Sequence, residues 1–311
     1  MSDSNLSAIG TGGAYGRCLL ITELVSEVWR ARAHHISQRL DILLGAVAVA
    51  SLIRQPHTDG HAVAELWEQG DDALLHDRLH RVWAMRWIEQ PYLTQAAAPL
   101  RAWLHDEEIE MAPETARAIR AVIATALRAG ILHLTGSEDP ARRDAVDLLG
   151  TVLTYMRATG DKQKRGEYFT SPSMADLIGH MLFEWVTAAA AYPSHDLLPP
   201  KGASIADPCA GTGGLLRPAA QQIRRLGGDP ADYRWYCADI NSLSAACSAA
   251  NAMTWGLADN RGTNVLIHCG DTLHDDGISH QLAVMREVLA LHRLAQRAGT
   301  LQAAANLLLA V

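Results

Sequence analysis

The chain has 311 residues, of which 49% are hydrophobic and 20% charged, so it can bury a core and is not a disordered chain. Its formal net charge of -7 argues against a protein whose whole surface binds nucleic acid, although a local basic patch remains compatible with this charge. The five cysteines include no CxxC pair, which argues against a disulfide framework or a zinc site and fits a reducing, cytoplasmic environment.

The amino-terminal part of the sequence predicts helices alone. Residues 1–17 are rich in Gly and Ser and are expected to form a flexible tail without a signal peptide. An all-helical N-terminal domain is expected over 18–143, with helices over 21–54, 71–90 and 113–129 that end before Pro56, Pro91 and Gly130. The most apolar run, 42–53, is too short to cross a bilayer and predicts a buried helix, so we expect no membrane contact.

From residue 144 to 311 the sequence predicts an α/β domain. A helix over 139–160 and another from about Ser173 precede a turn-rich linker. Three short strands then follow, over 203–208, 233–240 and 264–271, with a helix between each pair. This β-α-β-α-β order is the first half of a doubly wound parallel sheet, hence an incomplete Rossmann-like domain of about three strands. The remainder from Ser279 predicts helix, with a possible break at Gly299.

A glycine loop, Asp-Pro-Cys-Ala-Gly-Thr-Gly-Gly, follows the first predicted strand. The three strands end in Asp207, Asp239 and Asp271, and successive acids are 32 residues apart. Because parallel sheets bind ligands at the carboxyl ends of their strands, we expect the three acids to lie around one crevice. Glycines in such a loop allow a tight turn and let backbone N–H groups face a ligand.

The position of the first acid separates the possible ligands. A nicotinamide dinucleotide site carries GxGxxG, whereas here an acid stands four residues before the first glycine. That acid suits a cationic amino group, the second suits ribose hydroxyls and the third suits an adenine amino group. Together they predict S-adenosylmethionine as the cofactor. The alternative is a plain tight turn beside acids that cap helices.

Four stretches carry a family resemblance: GEYFTSPSMADLIGHML, IADPCAGTGGLL, ADIN and GDTL. Over residues 144–275 they resemble the N6-adenine DNA methyltransferases, and most of all the modification subunits of type I restriction systems. The resemblance implies that Phe169 and Thr170 lie against the cofactor. It implies that its methionine part is held by Asp207, Gly211, Thr212 and Gly213, its ribose by Asp239 and its adenine by Asp271. The aromatic segment departs from the family pattern by one extra residue, Ser171.

The family's Asn/Asp-Pro-Pro-aromatic motif is not found in the sequence. The sole Pro-Pro pair, Pro199-Pro200, has neither the polar residue before it nor the aromatic residue after it. We therefore predict no catalytic residue in these residues, which resemble a truncated member of the family. No metal ligand is predicted either, because the sequence has neither a CxxC pair nor an HExxH motif. Two interpretations follow. In the first, the protein is a methyltransferase component in DNA modification or phage defence, and a partner chain or self-association completes its sheet. In the second, it is an inactive relative that acts as a binding or scaffold protein.

Two basic groups are compatible with DNA as a partner. One is the predicted loop with Lys162, Lys164 and Arg165, beside the expected cofactor site. The other is the predicted helix on which Arg78, Arg81 and Arg86 alternate with Trp83 and Trp87. A solvated charged face above buried tryptophans is the alternative interpretation of that helix.

Overall fold

The structure, a computed structural model, describes residues 13–55, 59–105, 112–157, 170–188, 198–274 and 277–309. Helices make up its amino-terminal part: α1 Ala14–Arg32, α2 Leu40–Leu52, α3 Gly60–Glu68, α4 Asp72–Glu89, α5 Pro91–Ala96, α6 Pro113–Arg128, α7 Ile131–Thr135 and α8 Leu148–Met156. The remaining elements are α9 Pro172–Ala188, β1 Ser204–Asp207, α10 Leu216–Arg225, β2 Arg234–Asp239, α11 Ser242–Trp255, β3 Val265–Cys269 and α12 Gly277–Leu309.

The amino-terminal helices pack around α2, which is buried from Ile42 to Leu52. This confirms the predicted buried helix. The amphipathic helix α6 packs on α1, α2 and α3, as its spacing of apolar residues predicts. Pro113 lies in the first turn of α6. Gly130 follows the end of the helix and has a φ of +89°, a conformation that glycine adopts without strain.

Two predicted helices are wrong in their extent. The helix predicted over 21–54 is two helices, because α1 ends at Arg32 and α2 begins at Leu40, with a short 3-10 helix between them. In this break the Trp29 indole donates to the Ser37 carbonyl at 3.3 Å. Apolar spacing did not reveal this break because both halves face the same core. The helix predicted over 139–160 begins at Leu148 instead, since Asp147 caps it by accepting from the Gly150 N–H at 2.8 Å. Helix α1 starts at Ala14, inside the predicted tail.

The sheet is parallel, with the order β1-β2-β3. Ile205 lies opposite Trp235, and Trp235 opposite Val265. The three predicted strands, the helices between them and the incomplete Rossmann-like class are confirmed. Helix α12 packs against β3 and α5, and it continues through Gly299 without the break that the sequence suggested.

The outer edge of β3 is covered by a side chain from the amino-terminal helices. The Tyr92 hydroxyl on α5 accepts from the Ile267 N–H at 3.0 Å and lies 3.2 Å from the Ile267 carbonyl oxygen. The Ile267 N–H is thereby paired, and the one hydroxyl proton of Tyr92 lies within reach of both the Ile267 carbonyl and the Gln281 side-chain oxygen, each at 3.2 Å. The two halves of the chain are joined into one packed structure at this point.

None of the helices in the described ranges is long and apolar enough to span a membrane. The five cysteines are free thiols; Cys209 and Cys269 are exposed and the other three are buried.

Candidate functional site

The glycine loop leaves β1 at Asp207 and turns at once. The Asp207 carboxylate accepts from the Cys209 N–H at 3.0 Å, and the Ala210 N–H donates to the Ala238 carbonyl at 2.7 Å. Gly211 and Gly213 have φ values of +56° and +91°, where a side chain is strained. A Cβ on Gly213 would also come within 3.2 Å of the Ser248 hydroxyl. The loop conformation therefore requires glycine at both positions.

Asp239 connects the ends of β1 and β2. One of its carboxylate oxygens accepts from the Gly211 N–H at 2.9 Å, and the other accepts from the Asn241 N–H at 2.8 Å. Asn241 in turn caps α11 by accepting from the N–H groups of Leu243 and Ser244. Each carboxylate oxygen keeps acceptor capacity beyond these bonds, so Asp239 can hold the loop and still accept from a ligand.

Asp271 follows β3 at the same edge of the sheet. Its carboxylate accepts from the Leu273 N–H at 3.0 Å and lies 2.7 Å from Nδ1 of His274. The Thr272 hydroxyl donates to the Pro208 carbonyl at 3.3 Å, which links the third strand end to the first. The three acids thus stand at neighbouring strand ends, as the 32-residue spacing predicts.

The acids differ in their electrostatic surroundings. Burial raises the pKa of Asp207, and the charge of Asp239 raises it further, while the Cys209 N–H partly opposes both effects. At Asp271 the Leu273 N–H and His274 lower the pKa. A cation near Asp207 would stabilise the ionised carboxylate, which burial disfavours. Of the three acids, Asp207 is therefore the one best suited to an ammonium group.

Thr212 faces the protein interior. Its hydroxyl donates to the Asp147 carboxylate at 2.5 Å, and the Asn251 side-chain amide donates both to Asp147 and to the Thr212 carbonyl, each at 2.8 Å. The Thr212 side chain and carbonyl are therefore both engaged in the interior of the protein. The network ties the loop to α8 and α11.

Sequence reasoning did not find Asp147 and Asn251, which lie 65 and 39 residues from Thr212. Burial raises the pKa of Asp147, and its three donor partners oppose that effect. Gly150 makes the approach possible, since a Cβ there would lie 2.2 Å from Asp147 and 2.4 Å from the Thr212 hydroxyl. The signal in the sequence is Asp-Leu-Leu-Gly. Its acid caps a helix, and its glycine lies in the first turn of that helix, where the helix itself does not require glycine.

The aromatic segment is described in part. Phe169 lies outside the described residues, and Thr170 is exposed two residues before α9. No hydrogen bond joins Thr170 to the glycine loop within the ranges described. Helix α9 itself is anchored to α10 by an ion pair between Asp176 and the buried Arg217.

Two large apolar side chains flank the acids on the solvent side. Ile240 follows Asp239 and is 74% exposed, and Leu273 follows Asp271 by two residues and is 88% exposed. A flat ring with polar edges could pack its faces against these exposed aliphatic side chains and form hydrogen bonds with the acids through its edges.

The basic groups are in different situations. Lys162, Lys164 and Arg165 lie outside the described residues. On α4, Arg78 donates to the carbonyls of Leu66 and Gln69, and Arg81 pairs with Asp77. This favours the solvated-face interpretation, in which Trp83 is a buried core residue. Across the described parts of the chain, no group of three or more His, Cys, Asp or Glu side chains could hold a metal ion.

Comparison with known proteins gives one family. The model of the family described as N-6 DNA Methylase matches residues 144–290, just under half of the chain. This match confirms the resemblance to the N6-adenine DNA methyltransferases that was found in the sequence. No curated protein matches the chain.

A solved structure is also similar to this chain. It is the methyltransferase subunit of the type I restriction-modification system from Streptococcus thermophilus, with 15% sequence identity and a TM-score of 0.43. The match covers 83% of this chain and 60% of that subunit, so this chain spans less than two thirds of its length.

Proposed function

We propose that the protein binds S-adenosylmethionine at the carboxyl edge of its sheet, as a component of an adenine-N6 DNA methyltransferase. The observation that carries the proposal is the hydrogen bond from the Gly211 N–H to Asp239, which holds a glycine loop against the second of three acids. Support also comes from the family match over residues 144–290.

Each part of the cofactor has a chemical counterpart. Asp207 would hold the methionine ammonium. The N–H groups of Gly211 and Gly213 already donate to Asp239 and to the Ala210 carbonyl, so these two glycines would shape the loop while the Thr212 N–H would hold the methionine carboxylate. Asp239 would accept from the ribose hydroxyls, and Asp271 from the adenine amino group. Ile240 and Leu273 would cover the faces of the adenine ring. When bound, the cofactor supplies an electrophilic methyl group on a sulfonium, for transfer to an exocyclic amine.

Binding distinguishes this cofactor from the alternatives. We expect calorimetric titration to show heat with S-adenosylmethionine and with S-adenosylhomocysteine, and none with a nicotinamide dinucleotide. Binding of the dinucleotide alone would favour the nicotinamide alternative. Binding of none of the three would favour a plain turn with capping acids.

The acceptor side calls for a second proposal, since the Asn/Asp-Pro-Pro-aromatic motif is not among the 311 residues. We propose that a strand of a second chain adds to the outer edge of β1 and supplies the groups that present the adenine. The register of β1 on β2 turns the Ala206 N–H and C=O outward, and Ala206 is exposed. Within the described residues no strand pairs with this edge.

This second proposal predicts that the protein alone binds the cofactor but transfers no methyl group to DNA. Labelled methyl transfer to adenine by the protein alone would overturn it. A catalytically inactive binding or scaffold protein is the second candidate function, favoured by the same missing motif. It predicts no transfer even when a chain that carries Asn-Pro-Pro-Tyr/Phe and associates with this protein is added.

A further inference from the structure

Three arginines of the amino-terminal half, Arg54, Arg86 and Arg143, lie near enough to one another for their charges to interact. Arg54 follows α2, Arg86 lies on α4, and Arg143 follows a short 3-10 helix over Pro140–Arg142. The Arg54 guanidinium donates from Nη1 to the carbonyls of Ser51 at 2.8 Å and Thr135 at 3.0 Å. The three side chains come from three separate segments, so their proximity is a product of the fold.

Several nitrogens of this cluster are buried without a hydrogen-bond partner. They are Nε and Nη2 of Arg54, Nε of Arg86, Nε of Arg143 and, one helical turn before Arg86, the indole nitrogen of Trp83. Buried polar groups are paired in the great majority of cases, so each of these needs a physical reason. All five nitrogens are hydrogen-bond donors. A ligand that carries only hydrogen-bond acceptors could therefore pair with each of them.

The charge balance also indicates an anion. Arg143 is 8% exposed, and its side chain makes no hydrogen bond or ion pair within the described residues. Arg86 is paired through Nη1 with Glu89 at 2.7 Å, and Glu138 and Asp139 act on Arg143 from a longer distance. Neither Arg54 nor Arg143 has a carboxylate within ion-pair distance in the described ranges. A buried arginine without a partner is strongly unfavourable.

The pKa values of the cluster agree with this placement. Burial, followed by the charges of Arg143 and Arg86, lowers the pKa of Arg54 to about 9. Burial likewise lowers the pKa of Arg143 to about 10. Both side chains therefore remain charged at neutral pH, where an oxyanion could neutralise them.

We propose that Arg54, Arg86 and Arg143 form a binding site for a phosphate-class oxyanion. The ligand is a free phosphate or the phosphate end of a small molecule, because Arg143 is buried and Arg54 and Arg86 are half-buried. An oxyanion with several oxygens can accept from guanidinium groups that arrive on different segments. The proposal is independent of the cofactor site.

The first test is the melting temperature of the full chain in about 10 mM sodium phosphate against sodium chloride of equal ionic strength. We expect phosphate to raise it by about 2–4 °C. Glycerol phosphate at the same concentration separates the two sources: a larger rise than with phosphate identifies a phosphomonoester, and an equal or smaller rise identifies free phosphate. Equal melting temperatures in chloride, phosphate and glycerol phosphate would overturn the proposal.

Substitution tests the residues. In Arg143→Met the phosphate effect should be lost, and without phosphate this variant should be at least as stable as the unmodified protein, since a buried charge without a partner has been removed. The matched control is Arg142→Met, at the neighbouring exposed position, which should retain the phosphate effect. A second variant, Arg86→Met, serves if Arg143→Met does not fold. A phosphate effect of unchanged size in the folded variant would overturn the assignment.

Discussion

The two edges of the three-stranded sheet are built differently. On β3 the outward N–H and C=O of Ile267 both contact the Tyr92 hydroxyl, and α12 packs beside them. On β1 the corresponding groups of Ala206 have no partner in the described residues, and Ala206 is exposed. Unpaired edges invite pairing with another strand. The contrast teaches that the amino-terminal helices complete one side of the sheet and leave the other available, which is why the acceptor side is proposed to attach at β1.

The largest expected effect comes from opening the covered edge. Tyr92→Ala removes a buried ring and leaves both backbone groups of Ile267 without their partner, so the free energy of unfolding should fall by about 3–5 kcal/mol. Urea denaturation measures this change. Tyr155→Ala, at a half-exposed position, is the control and should cost far less. Equal losses in the two variants would show that the edge contact has no special importance.

Next in size is the network beneath the glycine loop. Asp147→Ala leaves the Thr212 hydroxyl, the Asn251 amide and the Gly150 N–H without their acceptor, so stability should fall by about 2–4 kcal/mol. Urea denaturation is again the measurement. Asp139→Ala, which removes the cap of a 3-10 helix at an exposed position, provides the comparison and should cost about 1 kcal/mol or less. A loss at Asp147 no greater than at Asp139 would contradict the network.

A smaller effect is expected at the open edge. Ala206→Pro removes an outward N–H that no described residue accepts, and proline is tolerated at the edges of sheets. Stability should change by about 1 kcal/mol or less. Ile267→Pro is the matched change on β3, where the N–H donates to Tyr92, and it should be much more destabilising. Similar losses at the two positions would remove the distinction between the edges.

The pH dependence of cofactor binding should reflect Asp207. Its pKa is raised by burial, so its carboxylate takes up a proton at a higher pH than an ordinary aspartate. Because an ammonium group requires the ionised form, affinity for S-adenosylmethionine should be constant near neutral pH and fall as the pH drops toward this raised pKa. In Asp207→Asn the affinity at neutral pH should be lower and this acid-side decline reduced. A decline identical to that of the unmodified protein would assign it to another group.

The sequence predicted what depends on local pattern and on regular spacing. The three strands, the helices between them and the acids at 207, 239 and 271 follow from short apolar runs that each end in an acid. The contacts of Tyr92 with Ile267 and of Asp147 with Thr212 join residues 175 and 65 positions apart, and no periodicity encodes them. The break between α1 and α2 was missed for a different reason: two helices that face one core continue the same apolar spacing across the turn.

The central claim is that the acids at the strand ends hold S-adenosylmethionine, and calorimetric titration of Asp271→Asn tests it most directly. Asp271 accepts from the Leu273 N–H and lies beside His274, and neither residue takes part in the hydrogen bond between Gly211 and Asp239, so this change should leave that bond in place. Loss of one acceptor for the adenine amino group should weaken binding about tenfold. Asp229→Asn, which alters a capping acid at the opposite end of β2, should bind as tightly as the unmodified protein. Undetectable binding by the unmodified protein, or equal affinity in all three proteins, would contradict the account.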